Sequence, residues 1–384
     1  MKKIVIFTGS RADYGILKNL ILDLKNKKKI LTKIYAGAGH YKKTKKNNST
    51  VQEILKDKLK IDFRVKNVLK KTKSLDILNF ISNSVKEYSE VLNSEKPELV
   101  ILLGDRYETF AFAISAFFLN IQIAHLHGGE VTQGSYDDSL RHSISKFSDY
   151  HFVTHRTHKK RLIQLGENRK NILLVGSLGV QNVNLHIKQN KNKLFYRHNI
   201  PIDKKTILAT FHPETKSILN YEKQIKIFLS AIKKMNNYFF IFTNTNMDTE
   251  GDYFLSKIIN FCKKNKNSIL IHSLGSDLYF DFAKNVDLVI GNSSSGLIEI
   301  PYCKTPTLNI GNRQKGRPIA SSVFNCKLNT NEIIKFTNKI LLKRKINYKN
   351  IYTMQNTKEK ITNQIVKIIR EKRKKIKKFN DIKF

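Results

Sequence analysis

The sequence predicts an α/β protein with two doubly wound domains, each a parallel sheet covered by helices, and a cleft between the domains. The chain has 384 residues, which is too long for one compact core. Short apolar strands alternate with amphipathic helices in the first half, and the same alternation restarts in the second half. Polar motifs follow nearly every predicted strand, and open α/β sheets bind ligands at the carboxyl ends of their strands.

In the first half, short apolar runs bounded by polar residues predict the strands, and amphipathic stretches predict the helices between them. The predicted strands are Lys3–Thr8, Leu31–Ala36, Leu99–Leu103, Ile121–His125, Tyr150–Thr154 and Ile172–Val175. The predicted helices are Gly15–Lys25, Leu75–Leu92, Thr109–Leu119, Ser139–Phe147 and Lys159–Leu165. The glycines at 176 and 179 then indicate a hinge or the start of a linker.

In the second half, five further apolar runs predict a second sheet. They are Thr206–Phe211, Tyr238–Thr243, Ile269–His272, Leu288–Gly291 and Thr307–Ile310. We therefore expect one Rossmann-like domain over residues 1–178, a second over residues 179–362, and a basic C-terminal segment over residues 363–384. The run Ile361–Lys378 predicts a long basic helix that either crosses back onto the first domain or frays as a solvated tail. The lysine- and asparagine-rich Tyr41–Ser49 predicts a mobile loop.

Composition excludes several classes of protein. The net charge is +39, but the lysines are spread along the chain and no nucleic-acid-binding motif occurs, which favours attraction of anionic substrates over nucleic-acid binding. No apolar run approaches the roughly 20 residues of a membrane-spanning helix, and the N-terminal apolar run is too short for a signal peptide, which predicts a cytoplasmic protein. The three widely spaced cysteines without a CxxC support neither a disulfide framework nor a structural zinc site.

Polar residues follow two strands of the first predicted sheet. Thr8-Gly9-Ser10-Arg11 separates the first strand from a helix, where a glycine admits a ligand close to the backbone and a helix N-terminus attracts anions. Arg11 adds a charge suited to phosphate, although no GxGxxG follows. Gly104-Asp105-Arg106 ends the strand Leu99–Leu103. There Asp105 is either a base or a helix cap, and Arg106 is suited to hold a phosphate.

The densest group of titratable residues follows the next strand as His125-Leu126-His127-Gly128-Gly129-Glu130. Residues two apart share a face of extended chain, so His125 and His127 are expected to converge. Together with an acid this pair would suit either metal ligation or acid–base chemistry by His127 and Glu130. Asp137 and Asp138 open the following helix, where they either cap its N-terminus or supply a catalytic acid.

The second half carries the residue types of a diphosphate and ribose site. Ser293 and Ser294 precede a helix and offer hydroxyl and backbone N–H donors to a diphosphate. Glu299, one or two turns later, is suited to hold ribose hydroxyls, as acids do in dinucleotide sites. Three further polar residues lie at or near predicted strand ends: His212, Asn244 and Arg313.

Seven motifs occur in one order along residues 1–317: TGSRADYG, LGDRYE, HLHGGE, DDSLRH, FHPET, GNSSSGLIE and GNRQKGR. In this order they resemble the hydrolysing UDP-N-acetylglucosamine 2-epimerases of sialic-acid biosynthesis. The resemblance implies a GT-B-like pair of Rossmann-type domains with a nucleotide-sugar substrate. It implies no metal and no other cofactor, and it suggests a homodimer or homotetramer.

The reaction that the resemblance implies converts UDP-N-acetylglucosamine and water to N-acetylmannosamine and UDP. In that family a base removes the proton at C2 of the sugar while UDP leaves, and water then adds to the enzyme-bound 2-acetamidoglucal with inversion at C2. The implied proton-transfer residues are Asp105, His127, Glu130 and Asp137 or Asp138. The implied UDP contacts are Arg11, Arg106, His212, Asn244, Ser293, Ser294, Glu299 and Arg313. Some relatives carry a glutamate at the position of His127, whereas others read HxHGGE, so the base and the acid are left unassigned.

Several alternatives to this reaction differ from it in testable ways. A close variant of the family acts on UDP- or GDP-N,N'-diacetylbacillosamine in legionaminic-acid biosynthesis, and its sugar differs at C4 and C6. A GT-B glycosyltransferase would share the nucleotide site but would transfer the sugar to an acceptor. A non-hydrolysing epimerase would keep UDP on its product. A basic nucleic-acid-binding protein would show oligonucleotide binding that depends steeply on salt.

Overall fold

The computed structural model describes residues 1–41, 51–69, 74–244, 251–271, 274–343, 346–371 and 376–382. The chain divides into two compact units. The first unit comprises Met1–Glu130, Asp137–Gln181 and Met354–Phe384, and the second comprises Val131–Tyr136 and Asn182–Thr353. Nearly all of the loop predicted at Tyr41–Ser49 lies outside the described residues.

The first unit contains a seven-stranded parallel sheet. Its strands are β1 (Lys2–Thr8), β2 (Ile30–Ala36), β3 (Phe63–Arg64), β4 (Leu99–Leu103), β5 (Gln122–Leu126), β6 (Tyr150–Val153) and β7 (Ile172–Leu174). They lie in the order β3-β2-β1-β4-β5-β6-β7. All six strands predicted for this half are present. The two-residue edge strand β3 was not predicted, because it is too short to show an apolar alternation.

Helices cover both faces of this sheet, as predicted. They are α1 (Arg11–Lys25), α2 (Val51–Lys56), α3 (Ser74–Glu95), α4 (Tyr107–Phe118), α5 (Asp137–Phe147) and α6 (Arg156–Gln164). Successive residues of β1 point to opposite faces, so Ile4 and Ile6 join the apolar cluster of α1. Val5 and Phe7 join a second cluster that contains Phe112 of α4. The residues of β1 are therefore buried from both sides, as in other parallel sheets.

The second unit repeats this architecture with a six-stranded parallel sheet. Its strands are β8 (Thr206–Thr210), β9 (Phe239–Thr243), β10 (Ser268–Ile271), β11 (Leu288–Gly291), β12 (Thr307–Ile310) and β13 (Val323–Cys326), in the order β10-β9-β8-β11-β12-β13. Helix α7 (Leu178–His186) leads into this unit, whose own helices are α8 (Lys191–Arg197), α9 (Tyr221–Lys234), α10 (Gly251–Lys264), α11 (Gly275–Asn285), α12 (Ser295–Ile298) and α13 (Thr330–Leu341). The five predicted strands are present. The edge strand β13, which contains Asn325 between apolar residues, was not predicted.

Both sheets share one strand order, and this order brings the polar motifs of each unit together. β1 and β4 are neighbours although they are distant in the chain, and so are β8 and β11. The chain changes its direction of progress across the sheet at each of these pairs, which is where doubly wound sheets bind ligands. The motifs of Arg11 and Asp105 follow β1 and β4, and those of His212 and Ser293 follow β8 and β11.

The C-terminal segment belongs to the first unit, whereas the sequence left open whether it would join that unit or fray. Helix α14 (Thr357–Arg370) buries Ile361, Ile365 and Ile368 in the same apolar cluster as α1. The helix ends at Arg370, and Glu371 is extended; residues 372–375 of the predicted helix lie outside the described residues. The apolar stripe of α14 explains why residues 354–362 group with the first unit although we expected them in the second domain.

The boundary between the units near residue 180 lies within α7 rather than in a linker at Gly176–Gly179. Among the described residues, none of the helices combines the length and the apolar character needed to cross a membrane.

Candidate active site

A buried guanidinium organises the acidic residues of the first unit. Arg141 lies on α5, and its side chain is 4% exposed. One terminal nitrogen is hydrogen-bonded to Asp105, which follows β4. The other donates to the His127 carbonyl at 3.1 Å and lies 3.5 Å from Glu130 Oε2. Residues from three distant motifs therefore meet around one cation, and we call Asp105, His127, Glu130 and Arg141 the acid–histidine cluster.

Glu130 is the most fully engaged carboxylate of this cluster. Its Oε1 lies 3.1 Å from His127 Nδ1 and accepts a hydrogen bond from Thr154 Oγ1 at 3.0 Å. Thr154 Oγ1 is also 2.9 Å from His158 Nδ1. The Glu130 side chain is 1% exposed, so an ionised carboxylate here depends on these partners and on Arg141.

His125 and His127 contact different residues, whereas the H-x-H spacing predicted that they would converge. β5 ends at Leu126, and His127 has a φ of 66°, which interrupts the alternation of an extended chain. His125 instead directs Nε2 to Gly104 O at 2.8 Å and Nδ1 to Ser145 Oγ at 3.0 Å. The two rings do not form the metal-ligand pair that the H-x-H spacing suggested. The described part of the chain holds no cluster of three or more His, Cys, Asp and Glu suited to a metal ion.

His125 is a neutral structural histidine, because burial lowers its pKa to about 3. Burial also lowers the pKa of His151 and of the half-buried His142. The unfolded chain would bind a proton at His125 below about pH 6.5, whereas the folded protein keeps this ring neutral. We therefore expect the free energy of unfolding to fall as the pH drops from 7 to 5, by up to about 1.4 kcal/mol per pH unit from His125, with His151 and His142 acting in the same direction.

Urea denaturation at pH 7, 6 and 5 would measure this dependence. His125→Gln keeps an amide that is able to donate to Gly104 O but cannot titrate in this range, so it should flatten the dependence on pH. An unfolding midpoint that stays constant between pH 7 and pH 5 in the unmodified protein would rule out the neutral-histidine explanation.

The Gly128-Gly129 pair serves packing next to this cluster. Gly129 has a φ of 72°, and a Cβ there would lie 2.4 Å from His158 O on α6. A Cβ on Gly128 would lie 2.9 Å from Ser145 Oγ on α5. Glycine is therefore required for the loop to fit between the two helices.

Asp137 and Asp138 are the first two residues of α5 and are half-buried. Asp137 precedes Arg141 by four residues, so the two lie on one face of the helix. Asp138 is related to His142 in the same way, and its charge opposes the effect of burial on the pKa of that ring. Acids in this first turn also stabilise the helix through its dipole.

Arg11 and Arg106 lie at the ends of neighbouring strands of the first sheet. Arg11 begins α1, and Arg106 is the residue that precedes α4.

The sequence motif around Arg11 also contains Asp13, which the sequence analysis did not identify as a candidate site residue. Asp13 Oδ2 accepts a hydrogen bond from Ser10 Oγ at 3.0 Å. Burial raises the pKa of Asp13 to about 6 even though the charge of Arg106 lowers it. The position of Asp13 in the first helical turn after a strand was the sequence signal that could have identified it as a candidate site residue.

In the second unit, the fully buried Asn292 links three loops. Its Oδ1 accepts from His212 N at 2.7 Å, and its Nδ2 donates to His212 O at 2.8 Å. Its carbonyl accepts from Gln314 Nε2 at 2.9 Å and from Arg313 Nη1 at 3.3 Å. The loops after β8, β11 and β12 are thus joined, which brings the predicted His212 and Arg313 together. Asn292 itself was not predicted, because nothing in its local sequence identifies a side chain that bonds to backbone.

Glu214 holds the loop after β12 from the opposite side. Its Oε1 accepts from Asn312 N at 2.9 Å and from Arg313 N at 3.3 Å. Gly311 has a φ of 80°, and a Cβ there would lie 2.1 Å from that oxygen, so only glycine allows this approach. The segment Val131–Tyr136 packs against the same loop, since a Cβ on Gly134 would lie 2.7 Å from the Arg313 Cα.

The remaining predicted residues of the second unit lie at or after strand ends. Ser293 and Ser294 follow β11 and are half-buried, and the Ser294 side chain makes no capping hydrogen bond to the short helix α12. Glu299 ends α12 and is 7% exposed. Asn244 follows β9. Ser293 and Ser294 directly follow Asn292 in the chain, and Glu299 lies about one helical turn later. All of them follow the strand β11.

Residues 22–366 match the sequence profile of the family described as UDP-N-acetylglucosamine 2-epimerase. The chain belongs to this family. A relative from Campylobacter jejuni, named GDP/UDP-N,N'-diacetylbacillosamine 2-epimerase (hydrolyzing), is 36% identical over 332 residues, which cover 85% of each chain. An Escherichia coli relative, named polysialic acid biosynthesis protein P7, is 38% identical over 340 residues, or 88% of this chain and 86% of its own.

The fold is also that of solved structures of this class. The crystal structure of a Neisseria meningitidis UDP-GlcNAc 2-epimerase bound to UDP-GlcNAc superposes with a TM-score of 0.77 at 20% identity. The match covers 96% of this chain and 100% of that one. The family that the seven motifs suggested is confirmed, and the chain is a nucleotide-sugar 2-epimerase. The homodimer or homotetramer stays a prediction.

Proposed function

We propose that this protein is a hydrolysing 2-epimerase of a nucleotide-linked N,N'-diacetylbacillosamine. Its products would be 2,4-diacetamido-2,4,6-trideoxymannose and a nucleoside diphosphate. The acid–histidine cluster supports the proposed proton transfers, because it brings two carboxylates and a histidine together around Arg141. The name of the Campylobacter jejuni relative supports this sugar over the UDP-N-acetylglucosamine that the sequence motifs first suggested.

The reaction requires a group that removes a weakly acidic C2 proton and a site that stabilises the departing diphosphate. The proton transfers are assigned to the acid–histidine cluster together with Asp137 or Asp138. General acid–base groups typically contribute about 10²- to 10⁴-fold each. Deprotonation at C2 then proceeds while the diphosphate leaves C1, and water adds to the resulting glycal.

The nucleotide is assigned to the residues that follow the strands of each sheet. Basic residues favour a diphosphate by charge, and serine hydroxyls with backbone N–H groups add hydrogen bonds. Glu299 is assigned to the ribose hydroxyls, as acids are in dinucleotide sites. The assigned contacts are Arg11, Arg106, His212, Asn244, Ser293, Ser294, Glu299 and Arg313.

A second candidate substrate is UDP-N-acetylglucosamine, with N-acetylmannosamine as the product. The name of the Escherichia coli relative, polysialic acid biosynthesis protein P7, favours it. Both reactions use the same proton steps at C2, so the acid–histidine cluster supports them equally. The two substrates differ at C4 and C6, so the kcat/KM values for the two substrates would distinguish the candidates.

Proton NMR in deuterated water would test the proposal with each nucleotide sugar in turn. We expect the diacetamido sugar to be released with deuterium at C2 and one equivalent of nucleoside diphosphate, at a kcat/KM above that for UDP-N-acetylglucosamine. A higher kcat/KM for UDP-N-acetylglucosamine would select the second candidate. A 2-epimer that keeps its nucleotide would contradict hydrolysis, and no reaction with either sugar would contradict both candidates.

A further inference from the structure

We propose that His127 Nε2 is the base that removes the C2 proton, and that Glu130 and Thr154 are positioning residues for its ring. This assignment rests on the proposed function and deepens it. It separates the role of His127 from that of the carboxylates, which the sequence motifs leave unassigned.

The position of the His127 ring is determined by one carboxylate. Nδ1 lies 3.1 Å from Glu130 Oε1, so an ionised Glu130 holds the proton of the neutral ring on Nδ1. Nε2 then carries the lone pair. This nitrogen is buried and has no hydrogen-bond partner among the residues that the structure describes. A nitrogen acceptor oriented by a carboxylate on the other ring nitrogen is the arrangement of a general base.

The backbone supports the same conclusion. His127 has a φ of 66°, a left-handed conformation that is uncommon for residues other than glycine. This conformation ends the extended chain after His125, and Nδ1 of the His127 ring lies 3.1 Å from Glu130 Oε1. Strained backbone of this kind is retained where the surrounding structure requires it, and it is frequent at active sites.

The carboxylates of the cluster already have partners. Asp105 is hydrogen-bonded to Arg141, and Glu130 accepts from Thr154 while its other oxygen lies 3.5 Å from Arg141. A carboxylate with a guanidinium and hydroxyl donors is stabilised in its charged form. These contacts suit Asp105 and Glu130 to orienting and charge stabilisation, whereas Nε2 of His127 is the unengaged acceptor.

Thr154 extends the arrangement by one step. Its hydroxyl donates to Glu130 Oε1, so it has only acceptor capacity for His158 Nδ1, 2.9 Å away. His158 must therefore present a protonated Nδ1 to Thr154. The chain from His158 through Thr154 to Glu130 keeps the carboxylate oriented toward His127.

In the first step the C2–H bond breaks and its proton passes to His127 Nε2. The electron pair of that bond forms the C1=C2 double bond, and the C1–O bond breaks with its electrons leaving on the diphosphate. In the second step the oxygen of water bonds to C1 while water loses one proton. The electron pair of the double bond takes a proton at C2 from a group on the opposite face, which gives the inverted configuration, and the proton lost by water restores that group. The proton on His127 is returned to solvent.

His127→Asn is the direct test. The asparagine amide is able to keep a donor toward Glu130, and asparagine tolerates a left-handed backbone, but Nε2 is lost. We expect kcat to fall by about 10²- to 10⁴-fold while UDP affinity, measured by calorimetry, stays within about twofold. His198→Asn, in the second unit, is the matched control and should keep wild-type activity.

His127→Glu provides a readout that a purely structural role would not change. The ascending limb of kcat/KM against pH should move, because the titrating base changes from an imidazole to a carboxylate. Glu130 and Arg141 contact residue 127, His125 interacts with it electrostatically, and Asp105 and His158 are linked to it through Arg141 and Thr154. These groups are the same in the wild type and the variant, so the shift reports the replaced group.

Removing the hydroxyl of Thr154 tests whether this residue positions the His127 ring through Glu130. Thr154→Val should lower kcat by about 2- to 10-fold with KM unchanged, and Thr154→Ser should restore it. If valine leaves kcat unchanged, Thr154 has no positioning role. If the wild type turns over a nucleotide sugar while His127→Asn retains its rate, or if the limb does not move in His127→Glu, the base assignment is overturned. A wild type inactive on both sugars would instead overturn the proposed function, and this assignment with it.

Discussion

Replacing Arg141 with methionine is expected to lower the free energy of unfolding by about 3–5 kcal/mol, because it leaves the buried Glu130 and the partly buried Asp105 without their cation. Glu130 is 1% exposed and Asp105 is 17% exposed, so solvent cannot substitute for the guanidinium at Glu130. The lost donor to the His127 carbonyl adds to the effect. Urea denaturation at pH 7 measures the change.

Two companion variants separate charge from geometry. Arg141→Lys keeps the cation but loses the planar fork that reaches three acceptors, so its loss of stability should be intermediate. Adding Glu130→Gln to Arg141→Met should recover part of the stability, since one buried charge is removed. An Arg141→Met protein with an unchanged denaturation midpoint would mean that the acid–histidine cluster does not depend on this residue.

The second large effect is expected from Asp105→Asn. This change keeps the size of the side chain and an acceptor for Arg141 but removes the negative charge. If Asp105 stabilises positive charge that develops as the C2 proton is transferred, kcat should fall by about 10²- to 10⁴-fold. UDP affinity should stay within about twofold, because the assigned nucleotide contacts are other residues.

Steady-state kinetics and UDP calorimetry on the same preparation test this prediction. Asp23→Asn is a matched control, since Asp23 lies on α1 and accepts a hydrogen bond from Thr362 Oγ1 at 2.6 Å, away from the strand ends. It should keep the wild-type kcat. Retained turnover in Asp105→Asn would exclude Asp105 from the chemistry.

Substitution of His127 and substitution of Asp105 or Arg141 should change different measured properties. Losing His127 removes the proton acceptor, so its effect on the pH profile is direct. Losing Asp105 or Arg141 changes the electrostatic surroundings of that acceptor, so stability and kcat respond together. Double substitution of Asp105 and Arg141 should cost less than the sum of the single effects, because the two side chains share one hydrogen bond.

Local patterns in the sequence were sufficient to predict both sheets. Parallel strands buried on both faces are short apolar runs, and all eleven predicted runs are strands. The strands β3 and β13 escaped prediction because an edge strand of two residues, or one containing Asn325, lacks such a run. The basic composition of the C-terminal segment concealed the apolar stripe by which Ile361, Ile365 and Ile368 join the first unit.

The sequence by itself determined the family, the order of the motifs along the chain and the residue types of the candidate site. Each motif directly follows an apolar run, so it is recognisable from its local sequence alone. Only the tertiary structure decided which of those residues meet. Arg141 reaches Asp105 across 36 residues of chain, and Asn292 reaches His212 across 80. The left-handed backbone of His127 ends the extended chain after His125, and no periodicity of the sequence predicts this torsion. Side-chain partners at such distances depend on the packing of whole sheets, which is why the sequence could suggest candidate site residues but not their contacts.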